Sequence, residues 1–147
     1  MPDQTQSSIR IAAPAAEVMR VIADFPAYPD WTGEVKSAVV VESGPDGRAD
    51  VVRFVIDAGV LKDEYSLRYE WAGNERVTWS LVDGKVLTEL DGSYALSEDG
   101  LGSTEVVYRL SVGLALPMLG MMKRRAERVI IDRALSGLKK HIEGESS

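Results

Sequence analysis

The sequence contains no cysteine and only one histidine. The lack of cysteine excludes disulfide bonds, thiolate nucleophiles and cysteine-based metal sites, and it is consistent with a cytoplasmic protein. The single histidine, His141, lies between Lys140 and Ile142, so a Ser-His-Asp triad would depend on it alone. We interpret His141 as a solvated residue near a helix end, and we expect no metal ion and no cofactor.

Long hydrophobic runs are also missing. Residues 112–122 form an uncharged stretch of eleven residues, whereas a helix that spans a bilayer needs about 20. The segment MPDQTQSSIRIAA at the start is polar and lacks the basic and apolar regions of a secretory signal. We therefore expect a cytoplasmic protein without a transmembrane segment, in which residues 112–122 make at most a transient contact with a membrane surface.

Positive charge is scarce. Lys and Arg number 17 against 23 Asp and Glu, and the formal net charge is −6 at pH 7. Such an acidic protein repels phosphate backbones, so we expect no nucleic-acid partner. The 147 residues, 45% of them hydrophobic, suffice for one core. We expect a single domain spanning residues 1–147, with an ordered core of about 8–143; no pattern indicates an oligomeric state.

The first third of the chain contains one strand and two helical segments. Residues 8–12, SIRIA, alternate as in a strand. In the next segment Pro14 suits the start of a helix, and Val18, Val21 and Ile22 form its apolar stripe. Residues 26–31, PAYPDW, contain two prolines, which restrict them to a second short helix or a loop.

Residues 34–113 contain six further alternating segments. The turns between them include GPDG, GN, DG at 83–84, and EDGLGS. This pattern predicts an antiparallel meander with one apolar face. The residues expected on that face include Val52, Phe54, Ile56, Tyr65, Leu67, Tyr69, Trp71, Val77, Trp79, Leu81, Thr88, Leu90, Gly92, Tyr94, Leu96, Thr104, Val106, Tyr108, Leu110 and Val112.

A long helix is predicted from Pro117 to about Ile142. Its apolar residues fall on two sides about 150° apart, so either its halves bury different sides or it bends near Gly137 or enters at an angle. We expect the second half to pack on the sheet and the first half to face another apolar space. The first set is Met118, Leu119, Met122, Ala126, Val129 and Ile130; the second is Ile131, Ala134, Leu135, Leu138 and Ile142.

Three segments resemble one known superfamily. They are APAAEVMRVIADFPAYPDWTGEV, EDGLGSTEVVYRLSV and LALPMLGMMKRRAERVIIDRALSGLKKHIE. Together they resemble the START-like (SRPBCC) superfamily, in its polyketide cyclase/dehydrase and lipid-transport branch with coenzyme-Q-binding-like members, over residues 8–143. The resemblance implies an α+β helix-grip fold. In it, a curved antiparallel sheet of about seven strands wraps around a long C-terminal helix, two short helices follow the first strand, and a hydrophobic cavity lies between sheet and helix.

The resemblance also implies where a ligand would bind. The methionines would form a deformable wall at the cavity mouth; core packing and an exposed membrane or partner patch are the alternatives. Trp31 is either an anchor near the opening or a ligand contact. Arg133 either binds an anionic headgroup or snorkels to a surface acid. The predicted ligand-binding residues are Trp31, Phe54, Tyr65, Tyr69, Trp79, Tyr94, Tyr108, Met118, Met122 and Arg133.

Three functions remain open at this point. The favoured one is a carrier or binding protein for a hydrophobic small molecule, such as a lipid, an isoprenoid quinone or a polyketide-like compound. A polyketide cyclase, aromatase or dehydratase is the second, although acid–base chemistry would have to use tyrosines, Thr88, Thr104 or Arg133. A protein-interaction module is the third, since the basic segment KRRAERVIIDR could steer an acidic partner or simply be a solvated helix face.

Overall fold

Seven antiparallel strands form one sheet. The computed structural model describes residues 4–32, 34–45, 47–57, 62–114 and 120–145. The strands follow the order β1-β7-β6-β5-β4-β3-β2, so the first strand pairs with the last. Their bounds are β1 Thr5–Ile11, β2 Val35–Ser43, β3 Ala49–Asp57, β4 Lys62–Ala72, β5 Arg76–Gly84, β6 Leu87–Glu98 and β7 Thr104–Leu114.

The helices lie where the sequence predicts them. Helix α1, Ala15–Ala23, begins after the extended Pro14 and buries the predicted stripe together with Met19. A 3₁₀ turn, Phe25–Ala27, leads into the four-residue helix α2, Tyr28–Trp31. The long helix α3 runs without interruption over Gly120–Glu145. The predicted α+β architecture, with two short helices after the first strand and a long C-terminal helix, is therefore confirmed.

Most of the predicted apolar face is buried, with one local error. Thr88, expected to point inward, is exposed, and Leu87 is buried in its place at 4% exposure. A register shift between Leu87 and Glu89 on β6 reverses the alternation at this point. The turn expected at 83–84 also lies later, between the end of β5 at Gly84 and the start of β6.

A buried carboxylate holds this turn in place. Asp63 on β4 is only 6% exposed. Its oxygens accept backbone N–H bonds from Glu64 and Lys85 at 2.8 and 3.0 Å, and from Val86 and Leu87 at 3.1 and 2.9 Å. Burial alone would raise the pKa of Asp63, but these four donors outweigh it and lower the pKa.

Asp63→Asn should lower the free energy of unfolding by about 1–2 kcal/mol at pH 7, because a neutral amide accepts the four donors less well. The folded-state pKa of Asp63 lies below the unfolded value of about 3.9. The difference between wild type and variant is therefore present above that pH and disappears as the pH falls through the folded-state pKa. Urea unfolding of the wild type and the variant at pH 7 and in acid measures the stability difference and its dependence on pH. An equal loss in Asp83→Asn, whose side chain is 67% exposed, would contradict the assignment.

The second half of α3 packs on the sheet as predicted. Ile131, Ala134, Leu135, Leu138 and Ile142 are all at most 7% exposed. In the first half, Val129 is 41% exposed, so its predicted apolar environment is wrong. Met118 and Leu119, which the sequence places on the same side, lie outside the described residues.

A glycine lets α3 approach α2 closely. A Cβ atom at Gly137 would lie 1.9 Å from the backbone carbonyl oxygen of Trp31. No side chain larger than hydrogen fits there while Trp31 keeps its position. Gly137, near which the sequence suggested a bend, is instead the point of contact with α2 in an uninterrupted helix.

A fully buried glutamate joins α3 to the sheet. Glu127 is 0% exposed. Its oxygens accept bonds from the Thr5 hydroxyl at 2.6 Å, the Val112 backbone N–H at 2.7 Å, and the Lys123 ammonium. Because β1 begins at Thr5, opposite Leu110, the N–H of Val112 lies beyond the end of β1 and pairs with the carboxylate instead. Sequence reasoning placed this residue in a basic surface segment and missed its role.

Candidate ligand-binding cavity

A cavity of about 90 Å³ lies between the inner face of the sheet, α2 and α3. The helix contributes Ile130 and Ala134 to its wall, and the loop after α2 contributes Thr32 and Glu34. Apolar strand residues such as Leu90 complete it. Seven of the ten predicted ligand-binding residues line this cavity: Trp31, Phe54, Tyr65, Tyr69, Trp79, Tyr94 and Tyr108.

The other three predicted residues are placed differently. Met118 lies outside the described residues, and so does the side chain of Met122. Arg133 is not among the lining residues. Its guanidinium is 2.7 Å from Glu34 and its side chain is 60% exposed, which corresponds to the interpretation as a snorkelling arginine paired with an acid.

Aromatic rings dominate the wall. All five tyrosines of the chain line the cavity, with two of its three tryptophans and one of its two phenylalanines. Trp79 contacts Tyr94 and Tyr108 at centroid distances of 5.4 and 5.5 Å. A Cβ at Gly92 would lie 2.5 Å from the Trp79 ring, so this glycine lets the ring lie flat on β6. The wall is therefore largely apolar, and its rings pack against one another.

The tyrosine hydroxyls keep their protons at neutral pH. Burial raises the pKa of all five, and neighbouring charges add to the effect. Tyr28 donates its proton to the Ile22 carbonyl oxygen at 2.5 Å. The hydroxyls of Tyr65, Tyr69, Tyr94 and Tyr108 make no hydrogen bond to any residue within the described ranges. The cavity thus presents neutral phenols rather than bases.

Trp31 has an unusual polar group. The residue is 7% exposed, and its ring lies 4.7 Å from that of Tyr28. Its indole Nε1 is buried and has no hydrogen-bond partner among the described residues. The contact with Gly137 fixes its backbone, so the tryptophan is held at the wall by both α2 and α3.

Glu34 is the one carboxylate among the lining residues that the structure describes. It accepts bonds from Arg133 at 2.7 Å and from the Thr32 hydroxyl at 2.9 Å. Burial alone would raise the pKa of Glu34, but the Arg133 bond, its own backbone N–H and Thr32 together lower it. It is therefore ionised and already paired at neutral pH. Tyr28, Thr32 and Glu34 were not predicted as lining residues; only their closeness to Trp31 along the chain pointed to them.

Nearly the whole chain matches one protein family. Residues 3–143 match the family described as polyketide cyclase/dehydrase and lipid transport. The chain belongs to this family. No curated protein matches it. Within the described ranges, the structure of this family member contains no helix long and apolar enough to cross a membrane.

Solved structures share the fold over almost all of their length. A START superfamily protein from Mycobacterium smegmatis has a TM-score of 0.90 at 22% identity, with 96% of this chain and 97% of that chain covered. A protein from Thermus thermophilus has a TM-score of 0.81 at 22% identity, covering 99% and 100%. The Zhui aromatase/cyclase from a Streptomyces species has a TM-score of 0.80 at 15% identity, covering 99% and 96%. These likenesses show the helix-grip fold of the START-like (SRPBCC) superfamily; a shared fold does not specify a ligand.

Proposed function

We propose that this protein binds a hydrophobic small molecule between the sheet and α3, as a carrier or binding protein. The observation that carries the proposal is the convergence of eight of the ten aromatic side chains on one cavity. Rings that only filled a core would not need to leave a void, since protein interiors are close-packed. Lipids, isoprenoid quinones and polyketide-like compounds are the ligand classes that such a wall suits.

The size of the cavity sets a condition on binding. Its volume of about 90 Å³ is below the roughly 300–1,000 Å³ typical of small-molecule sites. A ligand larger than a few atoms must therefore push the walls apart. That expansion costs part of the gain from burying apolar surface, which is about 0.8 kcal/mol per CH₂.

The chemistry of the wall favours binding over acid–base catalysis. General acid–base catalysis needs a group whose pKa lies near the working pH. Burial moves the tyrosine pKa values away from neutrality, and Glu34 is engaged by Arg133 and Thr32. The enzyme alternative therefore receives no specific support from the described lining residues.

Filling the cavity should abolish binding. Ala134→Leu adds three carbon atoms at a lining position that is 7% exposed. We expect this variant to lose the fluorescence increase that the neutral apolar probe N-phenyl-1-naphthylamine shows with the wild type, and to co-purify with less extractable ligand in native mass spectrometry. The matched control is Ser136→Leu, an exposed position on the same helix.

Two results would count against the proposed function. One is a wild-type protein that carries no extractable molecule and leaves the probe fluorescence unchanged. The other is an equal probe response in both leucine variants, since this would place the probe elsewhere on the protein. Far-UV circular dichroism and urea unfolding verify that Ala134→Leu is folded, because overpacking costs typically about 1–3 kcal/mol.

A further inference from the structure

We propose that the ligand carries a neutral hydrogen-bond acceptor, a carbonyl oxygen, which the indole N–H of Trp31 binds. This inference rests on the proposed function and concerns the same cavity. It assigns a specificity-determining residue and a chemical class to the ligand, which an apolar wall by itself does not.

The first observation is the indole nitrogen itself. In the described part of the chain, Trp31 Nε1 is the one side-chain nitrogen or oxygen that is itself fully enclosed by the protein and has no hydrogen-bond partner. Leaving such a group without a partner costs free energy, and nearly all buried polar groups in proteins therefore have one. Trp71 shows the usual situation, because its Nε1 donates to the Ala49 carbonyl oxygen at 2.8 Å. An indole N–H can only donate, so its partner must be an acceptor.

The second observation is the character of the other polar groups at the wall. The hydroxyls of Tyr65, Tyr69, Tyr94 and Tyr108 have no bond to the described residues and can donate to the same ligand. Glu34, the carboxylate among the described lining residues, already accepts bonds from Arg133 and Thr32. The tyrosine hydroxyls can donate or accept, whereas the indole of Trp31 can only donate, so an acceptor on the ligand can pair with any of these unused groups.

The charges of the lining residues favour a ligand carbonyl over a ligand carboxylate. None of the described lining residues is a lysine or an arginine, and the carboxylate of Glu34 lies among them. An ionised ligand carboxylate would be buried without a counter-charge, which is costly. A neutral ketone, quinone or ester oxygen accepts the same bonds without that cost. Apolar compounds without an acceptor would leave the N–H of Trp31 unpaired.

Two small probes of equal shape test this inference. Acetophenone and α-methylstyrene differ only in C=O against C=CH₂, so both require about the same expansion of the cavity, and its cost cancels when the two are compared. Their dissociation constants are measured by NMR titration with the wild type, Trp31→Phe and Trp71→Phe. Trp31→Phe removes the unpaired N–H and retains an aromatic ring, while Trp71→Phe removes an N–H that is bonded to Ala49 and does not line the cavity.

We expect the ratio of the two dissociation constants to favour acetophenone by roughly fivefold to tenfold more in the wild type than in Trp31→Phe. Trp71→Phe should keep the wild-type ratio. In the wild type, the indole N–H resonance of Trp31 should move downfield with acetophenone and not with α-methylstyrene. This last measurement does not depend on the folding of Trp31→Phe.

The remaining outcomes overturn the inference in distinguishable ways. If the wild type binds both probes without a preference for acetophenone, and the indole resonance does not move downfield, the cavity binds apolar ligands but Trp31 does not recognise an acceptor. If the preference for acetophenone persists in Trp31→Phe, the tyrosine hydroxyls bind the carbonyl oxygen and the assignment to Trp31 is wrong. If neither probe binds, the proposed function fails together with the inference.

Discussion

Glu127→Ala is expected to lower the free energy of unfolding by about 3–5 kcal/mol, because two buried hydrogen-bond donors lose their acceptor and a partly buried ion pair is broken. The substitution leaves the Thr5 hydroxyl and the Val112 N–H without their acceptor at a position that is 0% exposed. The Lys123 ammonium loses its ion-pair partner but keeps its bond to Ser111 at 3.2 Å. It also removes one of the polar contacts between α3 and strands β1 and β7. Urea unfolding followed by circular dichroism measures the loss.

Two further variants make this prediction sharp. Asp132→Ala removes an exposed carboxylate from the same helix and should change the free energy of unfolding by no more than about 0.5 kcal/mol. Glu127→Gln keeps the shape and removes the charge, so it should lie between the wild type and the alanine variant. If Glu127→Ala is as stable as Asp132→Ala, the buried network does not hold α3 to the sheet.

Gly137→Ala should destabilise the protein by about 3 kcal/mol, the upper end of the usual cost of overpacking. This is opposite to the usual effect, because alanine is favoured over glycine inside a helix by about 1 kcal/mol. At Gly137 the new methyl group would meet the carbonyl oxygen of Trp31 at 1.9 Å, and a backbone atom cannot rotate away as a side chain can. Either α2 or α3 must move. Because Trp31 lines the cavity, probe binding should weaken as well.

The matched control lies on the same helix. A Cβ at Gly144 meets no atom within 4 Å. Gly144→Ala should therefore leave stability unchanged or raise it by up to about 1 kcal/mol. Thermal unfolding of both variants compares the two effects directly. A Gly137→Ala protein at least as stable as Gly144→Ala would show that α3 and α2 do not pack as closely as the structure indicates.

The elements that local pattern determines could be predicted from the sequence. Strand alternation placed Tyr65, Tyr69 and Trp79 on the inner face, and the helical period placed Leu135 and Leu138 against the sheet. Such patterns follow from the strand period of 2 and the helix period of 3.6, which need no knowledge of distant residues. The aromatic residues of the cavity wall could be predicted for the same reason.

The features that were missed depend on contacts between distant parts of the chain. In the sequence, Glu127 is one of several charged residues in a basic segment. Only its hydrogen bonds to Thr5 and Val112 in the folded protein show why it is buried. The sequence alone suggested a bend near Gly137, and the close contact with Trp31 could not be foreseen from it. Thr88 followed the alternation, but the register shift between Leu87 and Glu89 on β6 turned it outward. No local pattern records such effects.

The pairing of β1 with β7 has a consequence for biosynthesis. Thr5 lies opposite Leu110, so the first strand cannot find its neighbour until more than a hundred further residues have left the ribosome. Contacts this distant in sequence close slowly, and chains emerge at about 5–20 residues per second. The β1 segment therefore stays without its partner strand for several seconds, and the sheet can be completed only after β7 has been made.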